Sequence, residues 1–236
     1  MPISIQEGIV NESWNITYDN ETVELKVERP RHPHSLFVSN TKGFKRKPWE
    51  TFFRFLNELV WFYDITVTDI SGGMGEFCAN MNFLPNEDSY AIQLEDFAQS
   101  VDDEIPHLAL GFFREGISSK SPFYQFLCYS KILEIPFKDG VKKGKWIDQE
   151  IPELKCQQTI SSIVSTGNLS IGDWIRSAGR NAVSHGRIKS GEIVRDPNVF
   201  QDWDEINQGN ILMEELAIKA MIECIGIPRS IRTENI

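Results

Sequence analysis

SPFYQFLCYSKILEI, residues 121–135, is the stretch in which the chain declares its helical half. Ser121 is the expected N-cap, and Pro122 stands at the first helical position, where its missing N–H is tolerated. Reading upstream, HLALGFFREGI (residues 107–117) follows Asp102-Asp103-Glu104 and Pro106 and predicts a helix closing near Gly116. Reading downstream, KDGVKKGKWID (Lys138–Asp148) predicts a glycine- and lysine-rich loop. A third helix is expected over Ile151–Val164, beginning at Pro152. A fourth begins at Ser170, where Ser170 and Asp173 resemble a capping box with aspartate in the usual place of glutamate. Its apolar face holds Ile171, Trp174, Ile175, Ala178 and Ala182, and Gly186 is placed to end it. A fifth runs from about Asn207 to Cys224, with Met213, Leu216, Ala217, Ala220 and Met221 facing inward. Gly226 and Pro228 stop it.

The front of the chain mixes signals. SWNITYDNETVELKVE (residues 13–28) alternates apolar and polar residues around Asp19-Asn20, and predicts a hairpin or two successive strands. ERPRHPHS, with Pro30 and Pro33, reads as a loop or an edge. From Pro48 the residues Trp49, Phe52, Phe53, Leu56, Leu59, Val60 and Tyr63 recur every three or four positions, the period of a helix. DITVTDI then reads as a strand and SGGMG as the loop that ends it. The expected fold class is α+β: an N-terminal α+β region over residues 1–104, then an all-helical part over 105–236.

The 236 residues carry a net charge of −10, which at first argues against nucleic acid as a partner. The excess is local, however. Residues 1–104 hold 8 Lys/Arg against 18 Asp/Glu, whereas residues 105–236 hold 16 of each. Within Arg176–Arg195 there are five basic residues and one acid, Glu192. The start MPISIQEG lacks the basic and apolar regions of a secretory signal, and the apolar run Leu59–Phe62 is too short for a membrane span. Cys78, Cys128, Cys156 and Cys224 form no C-x-x-C pair and read as reduced thiols. Together these predict a cytoplasmic protein without a membrane partner, in which four N-x-[ST] sequons are incidental.

Most candidate sites read blandly. SGGMGEF lacks both G-x-G-x-x-G and G-K-[ST], so a hairpin or loop is the better reading than a phosphate cradle. His32-Pro33-His34 has no third ligand to nominate, and the four histidines and four cysteines suggest no metal set and no cofactor. Lys142, Lys143 and Lys145, beside Trp146, suit a solvated loop; the functional reading lays them along a phosphate backbone.

RNAVSH, Arg180–His185, differs in kind. Arg180 and His185 are about 140° apart on a helix, but Asn181 and His185 share a face, as do Arg180 and Ser184. The bland reading is a set of helix-terminal polar residues, with the imidazole at the negative end of the dipole. The chemical reading is a groove in which an amide orients the imidazole and a guanidinium reaches in from the side. Imidazole moves protons near neutral pH, and guanidinium clamps phosphoryl oxygens through two hydrogen bonds.

This R-x4-H pattern at the end of a helix in an all-helical region resembles the HEPN superfamily. The F-Y-x-F-L-x-Y-x-K-I-L-E helix at Phe123–Glu134 and the α+β front part are similar too, most of all to the group labelled MauJ-like or ApeA-like. The likeness covers roughly residues 105–225. It implies a metal-independent endoribonuclease, a hydrolase serving as a toxin or in antiviral defence, with one RNA-cutting cleft built by a homodimer. Arg180 would then clamp the phosphate, His185 transfer the proton and Asn181 orient it. Arg176, Ser184 and Arg187, with Lys142, Lys143 and Lys145, would bind RNA. An antitoxin or other defence-system partner is also implied. The acidic front part departs from the basic surface usual in a toxin. The second reading is a non-enzymatic binding or scaffold protein, the MauJ-like accessory role in methylamine utilisation among them.

Overall fold

The computed structural model describes residues 2–4, 12–18, 21–27, 34–39, 46–63, 65–73, 76–83, 91–93, 104–166, 170–176 and 195–228. The chain divides into two compact units: Met1–Arg114 with Pro228–Asn235, and Glu115–Ile227 with Ile236.

In the first unit β1 (Pro2–Ser4) pairs with β7 (Ala91–Gln93), placing Ile3 opposite Ile92. A separate five-stranded antiparallel sheet has the order β2-β3-β4-β6-β5. Its strands are β2 (Glu12–Tyr18), β3 (Glu21–Val27), β4 (His34–Ser39), β5 (Ile65–Gly73) and β6 (Glu76–Phe83). Tyr18 pairs with Glu21 across the first hairpin, and Gly73 with Glu76 across the last. Two loop expectations shrink. His34 and Ser35 open β4, an inner strand, because ladder pairing resumes once Pro33, which has no N–H to donate, is passed. Ser71, Gly72 and Gly73 belong to β5, opposite Cys78, Phe77 and Glu76; Met74 and Gly75 lie outside the described residues.

Nearly all the described side chains of this unit belong to α1 (Arg46–Tyr63) and to α2 (Glu104–Ser118) up to Arg114. Helix α1 buries Phe52, Phe55, Leu56, Leu59, Val60 and Trp61. The Trp61 ring meets Phe113 edge-on at 5.2 Å, and its indole N–H donates to the Pro228 carbonyl at 2.9 Å. Arg114 is buried as well, donating to Asn57 Oδ1 at 2.6 Å and lying over the Phe53 ring.

Every described secondary-structure element of the second unit is helical, which fits the all-helical expectation. It contains the end of α2, then α3 (Pro122–Glu134), α4 (Gly140–Glu150), a 3₁₀ turn (Ile151–Glu153), α5 (Gln157–Thr166), α6 (Ile171–Trp174) and α7 (Phe200–Ala220). Helices α3 and α7 form its main packed pair, around Phe126, Ile132, Leu133, Met213 and Leu216. The caps are where they were expected. Ser121 accepts from the Tyr124 N–H, with Pro122 at N1. Ser170 accepts from the Asp173 N–H at 3.1 Å and donates back to its carboxylate. Gly226, at φ +84°, closes the single π turn (Met221–Ile225) that follows α7.

Four boundaries differ from expectation. Helix α2 runs past Gly116, whose missing side chain makes room for Tyr129: a β-carbon there would stand 2.9 Å from Cε1. The lysine-rich stretch is helix α4 rather than a loop, started by Asp139, whose carboxylate accepts from the Val141 N–H at 2.9 Å. Pro152 sits in the 3₁₀ turn, the chain extends at Leu154, and α5 starts at Gln157. Helix α7 begins at Phe200, two turns before Asn207.

Candidate functional site

Arg180, Asn181, Ser184, His185 and Arg187 lie outside the described residues, as does any continuation of the fourth helix beyond Arg176. What the structure describes is the chain on either side of that segment.

On the entry side α6 runs on helically into Ile175 and Arg176, the last described residues there, and three features hold it. The Ser170–Asp173 box starts it. The Trp174 ring meets Phe126 edge-on at 6.0 Å and lies against α7 at Gly209, where a β-carbon would be 2.4 Å from Cη2. Gly172 faces Gly144 of α4, and a β-carbon at Gly172 would be 3.4 Å from the Gly144 Cα. The missing side chain of Gly172 thus lets α6 approach the α4 backbone, while a β-carbon at Gly144 itself would meet nothing within 4 Å. Arg176 closes the entry side, exposed and paired with Asp173 at 2.7 Å. An exposed pair this close in sequence is weak, so the guanidinium is only loosely held.

On the exit side Arg195 is 12% exposed and bridges Asp202, at 2.7 Å, and Glu205. The other Asp202 oxygen accepts from the Asp196 N–H at 2.9 Å. Burial works to raise the Asp202 carboxyl, but the Asp196 N–H and the Arg195 guanidinium outweigh it and hold the group below its usual range. Helix α7 has Val199 at its N-cap with no side-chain cap, so Asp202 orders the residues leading into the helix instead.

Both anchors fall on one helix. Trp174 is seated at Gly209 and Arg195 at Asp202 and Glu205, so the attachments are about 6–10 Å apart along α7 at 1.5 Å per residue. The described chain on both sides of the motif therefore meets the same helix.

The lysines stand on α4. Lys142 and Lys145, three residues apart, are exposed, whereas Lys143 is half-buried. The Trp146 ring lies tilted against Phe137, with centroids 5.1 Å apart. Because Gly144 touches Gly172, Lys143 and Lys145 flank the contact with α6, four residues before Arg176. The structure thus brings the α4 lysines beside the entry to the motif. It spends Arg195 on an internal ion pair, which reduces the free basic charge expected of this region.

A second polar cluster escaped the sequence reading. Lys219 of α7 bridges Glu150 and, at 2.6 Å, Glu153, with Glu223 at 3.8 Å. One turn earlier, Glu215 accepts from the backbone N–H groups of Lys155 and Cys156 at the start of α5. The Cys156 thiol is pushed up to about 12, first by burial and then by its hydrogen bond to Glu215. The i, i+4, i+8 spacing of Glu215, Lys219 and Glu223 was the available signal; their partners on other elements had none. These groups tie the end of α7 to the α4–α5 junction. Among the described residues no cluster of His, Cys, Asp and Glu could hold a metal ion, and no helix is long and apolar enough to cross a membrane.

A family model described as methylamine utilization protein MauJ matches residues 109–223, just under half of the chain. The chain is MauJ-like over that span, which includes Arg180 and His185. No curated protein and no solved structure matches it.

Proposed function

We propose that this MauJ-like chain is a HEPN-type, metal-independent endoribonuclease in which Arg180 and His185 cut RNA at a cleft shared by two copies. In this reading the RNA 2′-hydroxyl attacks the adjacent phosphate, and the P–O bond to the next nucleotide's 5′ oxygen breaks. His185 transfers the proton, Asn181 orients the imidazole, and Arg180 steadies the charge that develops on the phosphorane. Arg176, Ser184, Arg187 and the α4 lysines line the approach of the RNA backbone. A cytoplasmic setting and an antitoxin or other defence partner complete the reading. The observation that carries it is that the chain bordering the motif on both sides, at Trp174 and at Arg195, is fixed to α7, the kind of rigid support a catalytic site needs.

A second reading is favoured by the family match. A MauJ-like accessory role in methylamine utilisation needs no catalysis, and Arg180 and His185 are then architecture. Incubation of the purified protein with total RNA in the presence of a chelator separates the two. Wild type yields fragments ending in a 2′,3′-cyclic phosphate and Arg180→Ala does not, if the chain is a nuclease. Intact RNA with both proteins leaves the accessory role.

A further inference from the structure

Helix α7 has two apolar faces, and its own unit uses one. Ile206, Met213, Leu216 and Ala220 are buried inward. On the opposite side Phe200 is 78% exposed, Ile211 55% and Trp203 37%, with Val199 exposed at the N-cap. Phe200, Trp203, Asn207 and Ile211 follow one another at steps of three, four and four. They form a single stripe about 16 Å long, three turns of helix. That spacing is the ridge against which a second helix packs. Scattered exposed apolar residues need no explanation, but an aligned series on one helix marks a contact surface.

The surroundings of the stripe select the occupant. Between Phe200 and Ile218 the sequence has five carboxylates and no lysine or arginine. Asp202 and Glu205 hold Arg195, and Glu215 holds the start of α5. Asp204, one turn from Phe200, borders the stripe itself and takes a hydrogen bond from a neutral group, the Gln208 amide, while Asp202 and Glu205 share the one Arg195. A second copy of this face would oppose the same carboxylates across a two-fold axis, like charge against like. RNA phosphates would meet the same repulsion. An apolar ridge flanked by cations is attracted on both counts.

We propose that the outer face of α7, along Phe200, Trp203 and Ile211, docks a helical segment of another protein that carries an apolar ridge flanked by lysines and arginines. Docking on this face calls on neither Arg180 nor His185 and stands whether or not the chain cleaves RNA.

The test uses the full chain and two labelled amphipathic helical peptides sharing one leucine ridge, flanked in one by lysines and in the other by glutamates. Fluorescence anisotropy should show the lysine peptide binding at least about tenfold more tightly than the glutamate peptide. A Phe200→Ser, Ile211→Ser variant should lose at least about tenfold of that affinity at unchanged Tm, and Asp204→Lys should narrow the preference. Equal affinity for the two peptides, or unaltered binding by the double variant, overturns the proposal. A wild-type dimer that the double variant dissociates overturns it in favour of a second copy. Single-stranded RNA binding that the double variant abolishes overturns it in favour of nucleic acid.

Discussion

The Trp174 ring occupies the space that a side chain at Gly209 would need, with Cη2 2.4 Å from the position of the missing β-carbon. Trp174 is the last residue of α6 and Gly209 lies mid-way along α7. This contact is the inner of the two by which the described residues flanking the motif meet α7.

Gly209→Ala should therefore destabilise the protein, because the methyl group overlaps an aromatic ring packed among Phe126 and its neighbours. Overpacking of this kind costs about 1–3 kcal/mol, a Tm loss of roughly 2–10 °C for a chain of this size. Gly140→Ala is the control: nothing lies within 4 Å of its β-carbon position, and the helix gains or is unchanged. Thermal unfolding of the two variants side by side checks the contrast, and equal Tm values would deny the ring its role.

Arg195→Met should remove the outer anchor and leave Asp202 and Glu205 facing each other. The pair is partly exposed, so the loss is about 1–3 kcal/mol rather than the larger cost of a fully buried pair. Asp202 has a folded-state pKa below its unfolded value. Its contribution is thus present above about pH 4, the unfolded value, and lost as pH falls through the folded one. The stability gap between wild type and Arg195→Met, measured by urea unfolding, should be full at pH 7 and shrink below pH 4. A gap independent of pH would show that packing of the arginine stem, not charge, holds this anchor.

Cys156 should resist alkylation. With its thiol pushed to about 12 from an ordinary 9.0, the thiolate present at pH 8 falls on the order of a thousandfold. The higher intrinsic nucleophilicity of a more basic thiolate returns part of that loss, so a rate at least about tenfold below that of a free cysteine is expected. Cys224 is exposed and should label faster in the same sample. Peptide mapping after brief iodoacetamide treatment measures both, and faster labelling of Cys156 would contradict the Glu215 contact.

The two motif residues should fail differently if RNA is cut. His185→Ala should lower the cleavage rate by about 10²–10⁴-fold while RNA still binds. Arg180→Lys should fail also, since lysine keeps the charge but loses the planar fork. Rates are compared on one RNA at saturating enzyme, after confirming fold and dimerisation. Wild-type rates in both variants would remove the nuclease assignment and leave the motif as architecture.

Features under short-range chemical control can be read from the residues alone. Ser121 with Pro122, and Ser170 with Asp173, announce helix starts because each cap is completed within three residues of itself. The inward set Met213, Leu216, Ala217, Ala220 and Met221 was legible because burial repeats with the helical period. Tertiary structure decided the rest. Gly140 and Gly144 argue locally for a loop, and α4 is a helix because Asp139 caps it and Ile147 is buried within the unit. Arg195 counted as free basic charge until Asp202 and Glu205 were found around it. The likeness that drew attention to Arg180 and His185 was written in six consecutive residues. That the residues flanking the motif on both sides meet one helix follows from Trp174 on Gly209 and Arg195 on Asp202, contacts 35 and 7 residues apart in sequence. Such contacts are set by how side chains fill space and neutralise charge once helices pack, which no local pattern encodes.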